Sequence, residues 1–266
     1  MQEAMEKALA KKKVFLLDMD GTIYLDETPI GDMIRTLQVM RDKGKRIVYL
    51  TNNSSKSEKA YVEKLKRIGF YDERDLVYTS SMATIEYLQA HFEGKRVYLV
   101  ANDCVKEEFL AAGIFLVEKD PEVVVLAYDT HIDFQKFSAL NEAIVNGAFY
   151  IATHPDAVCP AKGVFPPDVG SFIALLKCSS GKEPDLICGK PGTVMGDCIK
   201  GRLGVSADEV VMVGDRLHTD IRFGNQNGFA TLLVLSGETT EKMLASSPDR
   251  PTFVLPSLNE ILPYLE

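Results

Sequence analysis

The sequence predicts an α/β fold on a largely parallel sheet. Short β-branched apolar runs alternate along the 266 residues with amphipathic stretches of helical period. The runs are apolar almost throughout, as strands covered on both faces are. Such alternation winds through right-handed crossovers. In addition, four chemically rich segments each follow directly on an apolar run, at the strand ends where open α/β sheets bind ligands.

Taken in order, strands are expected at residues 14–17, 46–50, 96–100, 123–128, 149–152, 185–188, 209–213 and 231–235. Helices are expected at 31–43, 58–68, 82–91, 105–112, 134–145, 171–177 and 193–203. In 58–68, Tyr61, Leu65 and Ile68 recur at i, i+4 and i+7, and Gly69 supplies a stop. The second and third rich segments lie far apart, with further strands and helices between them, which points to a second domain.

Hydrophobic residues at 46% and charged residues at 26% describe an ordinary globular chain and exclude disorder or a disulfide-stapled miniature. Lys+Arg 30 against Asp+Glu 38 leaves a net charge of −8, the wrong balance for a protein that neutralises nucleic-acid phosphates. The five cysteines are odd in number and form no C-x-x-C pair, as expected of reduced intracellular thiols. The opening stretch has no apolar core of a secretory signal, and no apolar run approaches the roughly 20 residues of a membrane span. A cytoplasmic protein without nucleic-acid or membrane partners is expected.

The rich segments are Asp18-Met19-Asp20-Gly21-Thr22, Thr51-Asn52-Asn53, Gly189-Lys190-Pro191, and Gly214-Asp215 with Asp220 beyond. Two carboxylates at i and i+2 past a strand repel unless a cation lies between them or one holds a proton. Either solution suits catalysis: a hard divalent ion such as Mg²⁺ takes carboxylate and carbonyl oxygens, and a screened Asp can attack phosphorus while its neighbour handles protons. Taken singly, each segment has a plainer explanation: a turn with solvated acids, an N-cap for the next helix, a loop lysine, a strand-to-loop transition.

Together and in this order the segments resemble the four motifs of the haloacid dehalogenase (HAD) superfamily of aspartyl-nucleophile phosphotransferases. The T-N-N segment, residues 151–156, Gly189-Lys190-Pro191 and residues 235–240 resemble its NagD-like, para-nitrophenylphosphatase-like branch. The resemblance implies a Rossmann-like HAD core of residues 1–79 plus 183–266, with an inserted class II α/β cap over 80–182 and hinges near Ser80–Ser81 and Gly181–Lys182. It implies Mg²⁺-dependent hydrolysis of a small phosphomonoester, a phosphorylated metabolite such as a sugar phosphate or nucleotide, through an aspartyl-phosphate. Asp18 is then the nucleophile and a metal ligand. Asp20 is the acid and base, its backbone carbonyl a further ligand. Thr51, the backbone N–H of Asn52, and Asn53 bind substrate, Lys190 neutralises charge, Asp215 is a metal ligand, and Asp220 orients the metal shell.

The chain departs from the pattern at Arg216, where the family more usually has a polar uncharged residue; a loop position is expected, with anion binding the alternative. His218 is expected on an exposed loop. Asp156, Asp168 and Ser171 are candidates for substrate selection in the cap, Asp168 equally for a helix N-cap. Relatives associate through the cap, so a homo-oligomer stays open. A phosphomutase with the same nucleophile, or a phospho-accepting module without turnover, are the rival readings; Asp20 argues against the second. There is no G-x-x-x-x-G-K-[ST] loop.

Overall fold

A computed structural model describes residues 2–160 and 163–265. The chain folds into two compact units, one of Met1–Thr51, Tyr61–Tyr78 and Ile199–Glu266, the other of Asn52–Ala60 and Thr79–Cys198. The strands are β1 (Val14–Leu17), β2 (Tyr24–Leu25), β3 (Thr28–Pro29), β4 (Arg46–Thr51), β5 (Leu76–Thr79), β6 (Val97–Val100), β7 (Val123–Leu126), β8 (Phe149–Ala152), β9 (Leu186–Ile187), β10 (Val210–Gly214), β11 (Ala230–Val234) and β12 (Phe253–Leu255).

In the first unit a six-stranded sheet runs β12-β11-β10-β1-β4-β5, parallel at every pair from β12 through β4. The chain moves from β1 outward to β4 and β5, then returns on the other side of β1 through β10, β11 and β12. The winding therefore reverses at β1, and the crevice such a reversal opens lies at the carboxyl ends of β1, β4 and β10. Leu17 is level with Tyr49 on one neighbour and Val213 on the other, so the residues that follow all three strands emerge together.

Both faces of this sheet are covered. Phe15, Leu17, Ile47, Tyr49, Val211 and Val213 pack with Leu37, Met40, Leu258 and Ile261 in one cluster, while Val14, Leu16 and Met212 are buried on the opposite face. This double burial is why the strands read as unbroken apolar runs.

The second unit holds a four-stranded parallel sheet, β6-β7-β8-β9. Tyr98, Val100, Val124, Leu126, Tyr150 and Ala152 cover one of its faces and pack on Leu140, Ile144 and Leu176 from the helices Phe134–Val145 and Val169–Ser180.

Expected and observed elements differ chiefly at the edges. The short strands β5 and β12 and the β2–β3 hairpin escape a search for long apolar runs. β9 pairs with β8, Ile151 opposite Leu186 and Ala152 opposite Ile187, which draws residues 183–198 into the second unit. Gly181, with φ of 73°, caps the helix Val169–Ser180 within that unit, at one of the two positions expected to cross between domains. Among the described residues no helix is long and apolar enough to cross a membrane.

Candidate active site

The crevice in the first unit is lined with carboxylates. Asp18 follows β1, its N–H donating to the Val213 carbonyl on β10 at 2.9 Å. Asp215 follows β10, and Asp220 lies in a π-helical turn over Leu217–Ile221. Asp18, Asp215 and Asp220 each present a carboxylate oxygen within 4.8 Å of the other two. Asp215 and Asp220 are only 2% and 1% exposed, too buried for solvent to disperse the repulsion. Burial, and then Asp220 beside it, push the Asp215 carboxyl up to about 6. An oxygen-only set of this kind fits a hard divalent cation, which removes the repulsion that protonation would otherwise relieve.

Close packing fixes Asp215. Its Oδ2 accepts from the Glu238 N–H at 2.6 Å, its Oδ1 lies 3.4 Å from Thr22 Oγ1, and its carbonyl accepts from the Thr239 N–H at 3.2 Å. A Cβ on Gly21, which has φ of +81°, would lie 2.4 Å from Asp215 Oδ2, and one on Gly237 would lie 2.0 Å from it. Gly214 makes the same allowance for Asp220, whose Oδ2 accepts from the Arg216 N–H at 3.1 Å. The loop 236–239 is thus a part of the site to which the sequence assigned no role. The sequence marked residues 235–240 only through their resemblance to the NagD-like branch; their position directly after an apolar run, shared with the other segments, was the further signal.

The Asp20 carboxylate stands outside the three-carboxylate group. Its Oδ1 accepts from the Asp26 N–H at 3.4 Å, and burial raises it above the ordinary carboxylate range against the lowering effect of Lys64. Thr51 ends β4 with 9% exposure. Arg216 lies on the short loop between β10 and the π-helical turn, as expected, and is partly buried there. Burial works against its charge, but Asp18, Asp220, Glu238 and Asp215 outweigh it and hold the guanidinium above its ordinary value. His218 is exposed, within the π-helical turn rather than on a loop.

The second unit holds Asn52, Asn53 and Lys190. The Asn52 amide faces the Lys190 backbone with both ends: Oδ1 accepts from the Lys190 N–H at 2.8 Å and Nδ2 donates to the Lys190 carbonyl at 2.9 Å. Nδ2 also reaches Asp156 Oδ2 at 3.1 Å, and the Asn52 carbonyl accepts from Ser80 Oγ. A Cβ on Gly189 would lie 2.6 Å from Asn52 Oδ1, so the clamp needs glycine there. Lys190 is 1% exposed. Asn53 Oδ1 closes a turn onto the Ser55 N–H at 2.9 Å, and Ser57, not the T-N-N segment, accepts the Ala60 N–H at the start of the next helix.

Asp168 caps a helix. It is 3% exposed, accepts from the Val169 N–H at the helix N-terminus, and lies 3.0 Å from Nε2 of the buried His154. Ser171 donates to the Ala157 carbonyl at 2.6 Å.

Two family descriptions match the chain: haloacid dehalogenase-like hydrolase over residues 15–115 and HAD-hydrolase-like over 187–261. A 5'-nucleotidase, YutF, of Bacillus subtilis is 31% identical over 95% of this chain and 98% of its own. The crystal structure of a 4-nitrophenylphosphatase from Thermotoga maritima superposes with a TM-score of 0.93 at 38% identity, covering 97% of this chain and 99% of that one. NagD from E. coli K-12 gives a TM-score of 0.86 at 31% identity over 94% and 98%. With relatives this similar over nearly the full length, the chain belongs to the haloacid dehalogenase-like hydrolases, as a NagD-like phosphomonoester hydrolase.

Proposed function

We propose that the protein hydrolyses a small phosphomonoester, a sugar phosphate, nucleotide or similar metabolite, through an aspartyl-phosphate on Asp18 with Mg²⁺ as cofactor. The observation that carries the reading is the meeting of Asp18, Asp215 and Asp220 at the reversal of the first sheet. Asp18, Asp215 and the Asp20 carbonyl would hold the cation, with Asp220 completing or orienting its shell. When bound, Mg²⁺ neutralises charge on the phosphoryl oxygens and the carboxylates.

The chain's own residues supply the rest. Asp18 attacks phosphorus, the ester P–O bond breaks, and Asp20 gives its proton to the departing alkoxide. Asp20 then takes a proton from water, the water oxygen attacks the same phosphorus, and the Asp18–phosphorus bond breaks to release inorganic phosphate. Thr51 and the Asn52 N–H hold phosphoryl oxygens, and Lys190 offers its ammonium to the charge that spreads over them, pre-placed donors being the main source of stabilisation in such transfers. We assign the phosphoryl chemistry to a core of residues 1–79 plus 183–266 and the choice of alcohol to the inserted cap of residues 80–182.

The purified protein with Mg²⁺ should release inorganic phosphate from para-nitrophenyl phosphate, and Asp18→Asn should abolish release. Retained turnover in that variant removes the nucleophile. A panel of metabolite phosphates ranked by kcat/KM then identifies the alcohol; interconversion of sugar-phosphate isomers without phosphate release would instead mark a mutase.

A further inference from the structure

Arg216 lies in the chain between two members of the carboxylate group, directly after Asp215 and four residues before Asp220. Its Nε lies 3.1 Å from Glu238 Oε2, with the Arg216 side chain 22% and the Glu238 side chain 44% exposed. The N–H is not aligned for a hydrogen bond, so the contact is an ion pair. Glu238 also donates its backbone N–H to Asp215 Oδ2 at 2.6 Å. One residue therefore grips the buried acid with its main chain and the guanidinium with its side chain.

The carboxylates of Asp18, Asp215 and Asp220 carry three negative charges when ionised, and a divalent cation cancels two. The guanidinium, tied through Glu238 to Asp215 and felt by all three acids, draws on the same field, and Glu238 offsets part of that draw. We infer that Arg216 is a resident counter-cation of the acid group, held back by Glu238, and that this pair sets the affinity of the site for a divalent cation. The inference rests on the reading of Asp18, Asp215 and Asp220 as the metal site.

It gives opposite signs for the two partners. Removing the guanidinium leaves the acids less neutralised and a divalent cation more strongly attracted. Removing the Glu238 charge leaves the guanidinium unopposed and the cation less attracted. At partly buried separations of several ångströms, one unit charge is worth on the order of a tenfold change in binding.

The test is calorimetric titration of Mg²⁺ into the metal-free, full-length protein. Arg216→Ser should bind Mg²⁺ on the order of tenfold more tightly and Glu238→Gln on the order of tenfold more weakly, with the double variant close to the wild type. Without metal, Arg216→Ser should also melt lower than the wild type, and saturating Mg²⁺ should close the gap. Unchanged or weaker Mg²⁺ binding in Arg216→Ser overturns the inference. A rise in the inhibition constant of inorganic phosphate with Mg²⁺ affinity unchanged does so too, by making Arg216 an anion ligand. If the wild type takes up no Mg²⁺, or Asp215→Asn takes it up as well as the wild type, the metal reading itself fails, a result distinct from either of these.

Discussion

Asn52 Oδ1 and Nδ2 close a reciprocal pair of hydrogen bonds on the Lys190 backbone, and this fixes a buried lysine more firmly than contact along its stem could. Asn52→Ala leaves a buried N–H and C=O without these partners and frees the Lys190 backbone to move. With Lys190 in the role proposed for it, a shift of about 1 Å in its charge costs on the order of a hundredfold, so kcat should fall by that order with a smaller change in KM. Asn52→Asp keeps the acceptor for the Lys190 N–H but faces both the Lys190 carbonyl and Asp156 with a carboxylate, and should be no better than alanine. Steady-state kinetics on para-nitrophenyl phosphate checks both. Gly237 gives a companion case: a Cβ there would lie 2.0 Å from Asp215 Oδ2, so Gly237→Ala must displace the acid or the loop. It should weaken Mg²⁺ binding and turnover together. Gly44→Ala is the control, with φ of +74° and nothing within 4 Å of the added Cβ. It should cost about 1 kcal/mol of stability and leave turnover alone.

Between strands and helices, a buried ion pair ties the first unit together. Arg41, on the helix Met33–Asp42, forms a two-point ion pair with Asp75, Nε to Oδ1 at 3.1 Å and Nη2 to Oδ2 at 2.7 Å, with side chains 6% and 1% exposed. The same guanidinium donates to the Phe70 carbonyl and to Tyr49 Oη, and Tyr49 donates to that carbonyl at 2.6 Å. Helix, β4 and the segment leading into β5 are thereby pinned at one point. Arg41→Ala strands Asp75 in the interior and should cost about 3–5 kcal/mol in chemical denaturation, whereas Tyr49→Phe should cost only about 1–2 kcal/mol. In the second unit Glu108 accepts the Glu58 N–H at 2.6 Å through Oε1, while Oε2 has no partner. Burial raises this carboxyl above its unfolded value. A raised carboxyl contributes stability while it stays protonated and loses that contribution as pH climbs through its folded value. The melting temperature of Glu108→Gln, which keeps the amide acceptor and has no charge to bury, should therefore gain on the wild type as pH rises from acid to neutral; a constant difference would contradict the assignment.

Across the whole molecule, what could be read in advance was what strand period and residue type encode. Asp18 and Asp215 announced themselves as acids ending buried runs, and β1, β4, β7, β8, β10 and β11 were plain because both of their faces are covered. What escaped depends on partners that sequence distance hides. The loop 236–239 acts on Asp215 through backbone N–H groups and a missing Cβ, which no side-chain type signals. Asp168 looked equally suited to selecting substrate and to capping a helix, and only its burial against His154 decides for the cap. The outer limit of the second unit was hidden in the same way: a strand was expected at 185–188, but the strand it pairs with lies 35 positions earlier. Its weight can be measured. Asp185 exchanges hydrogen bonds with Tyr150, its N–H donating to the carbonyl at 2.8 Å and its Oδ2 accepting the N–H at 2.8 Å, and β9 then covers β8. A fragment of residues 80–182 lacks Asp185 and β9 and exposes the edge of β8, whereas residues 79–198 keep the four-stranded sheet intact. The longer fragment should therefore melt cooperatively and at a higher temperature by circular dichroism, and the shorter should be the more prone to associate through its uncovered strand. Equal melting of the two would mean that β9 adds nothing to the second unit and that its boundary belongs near residue 182 after all.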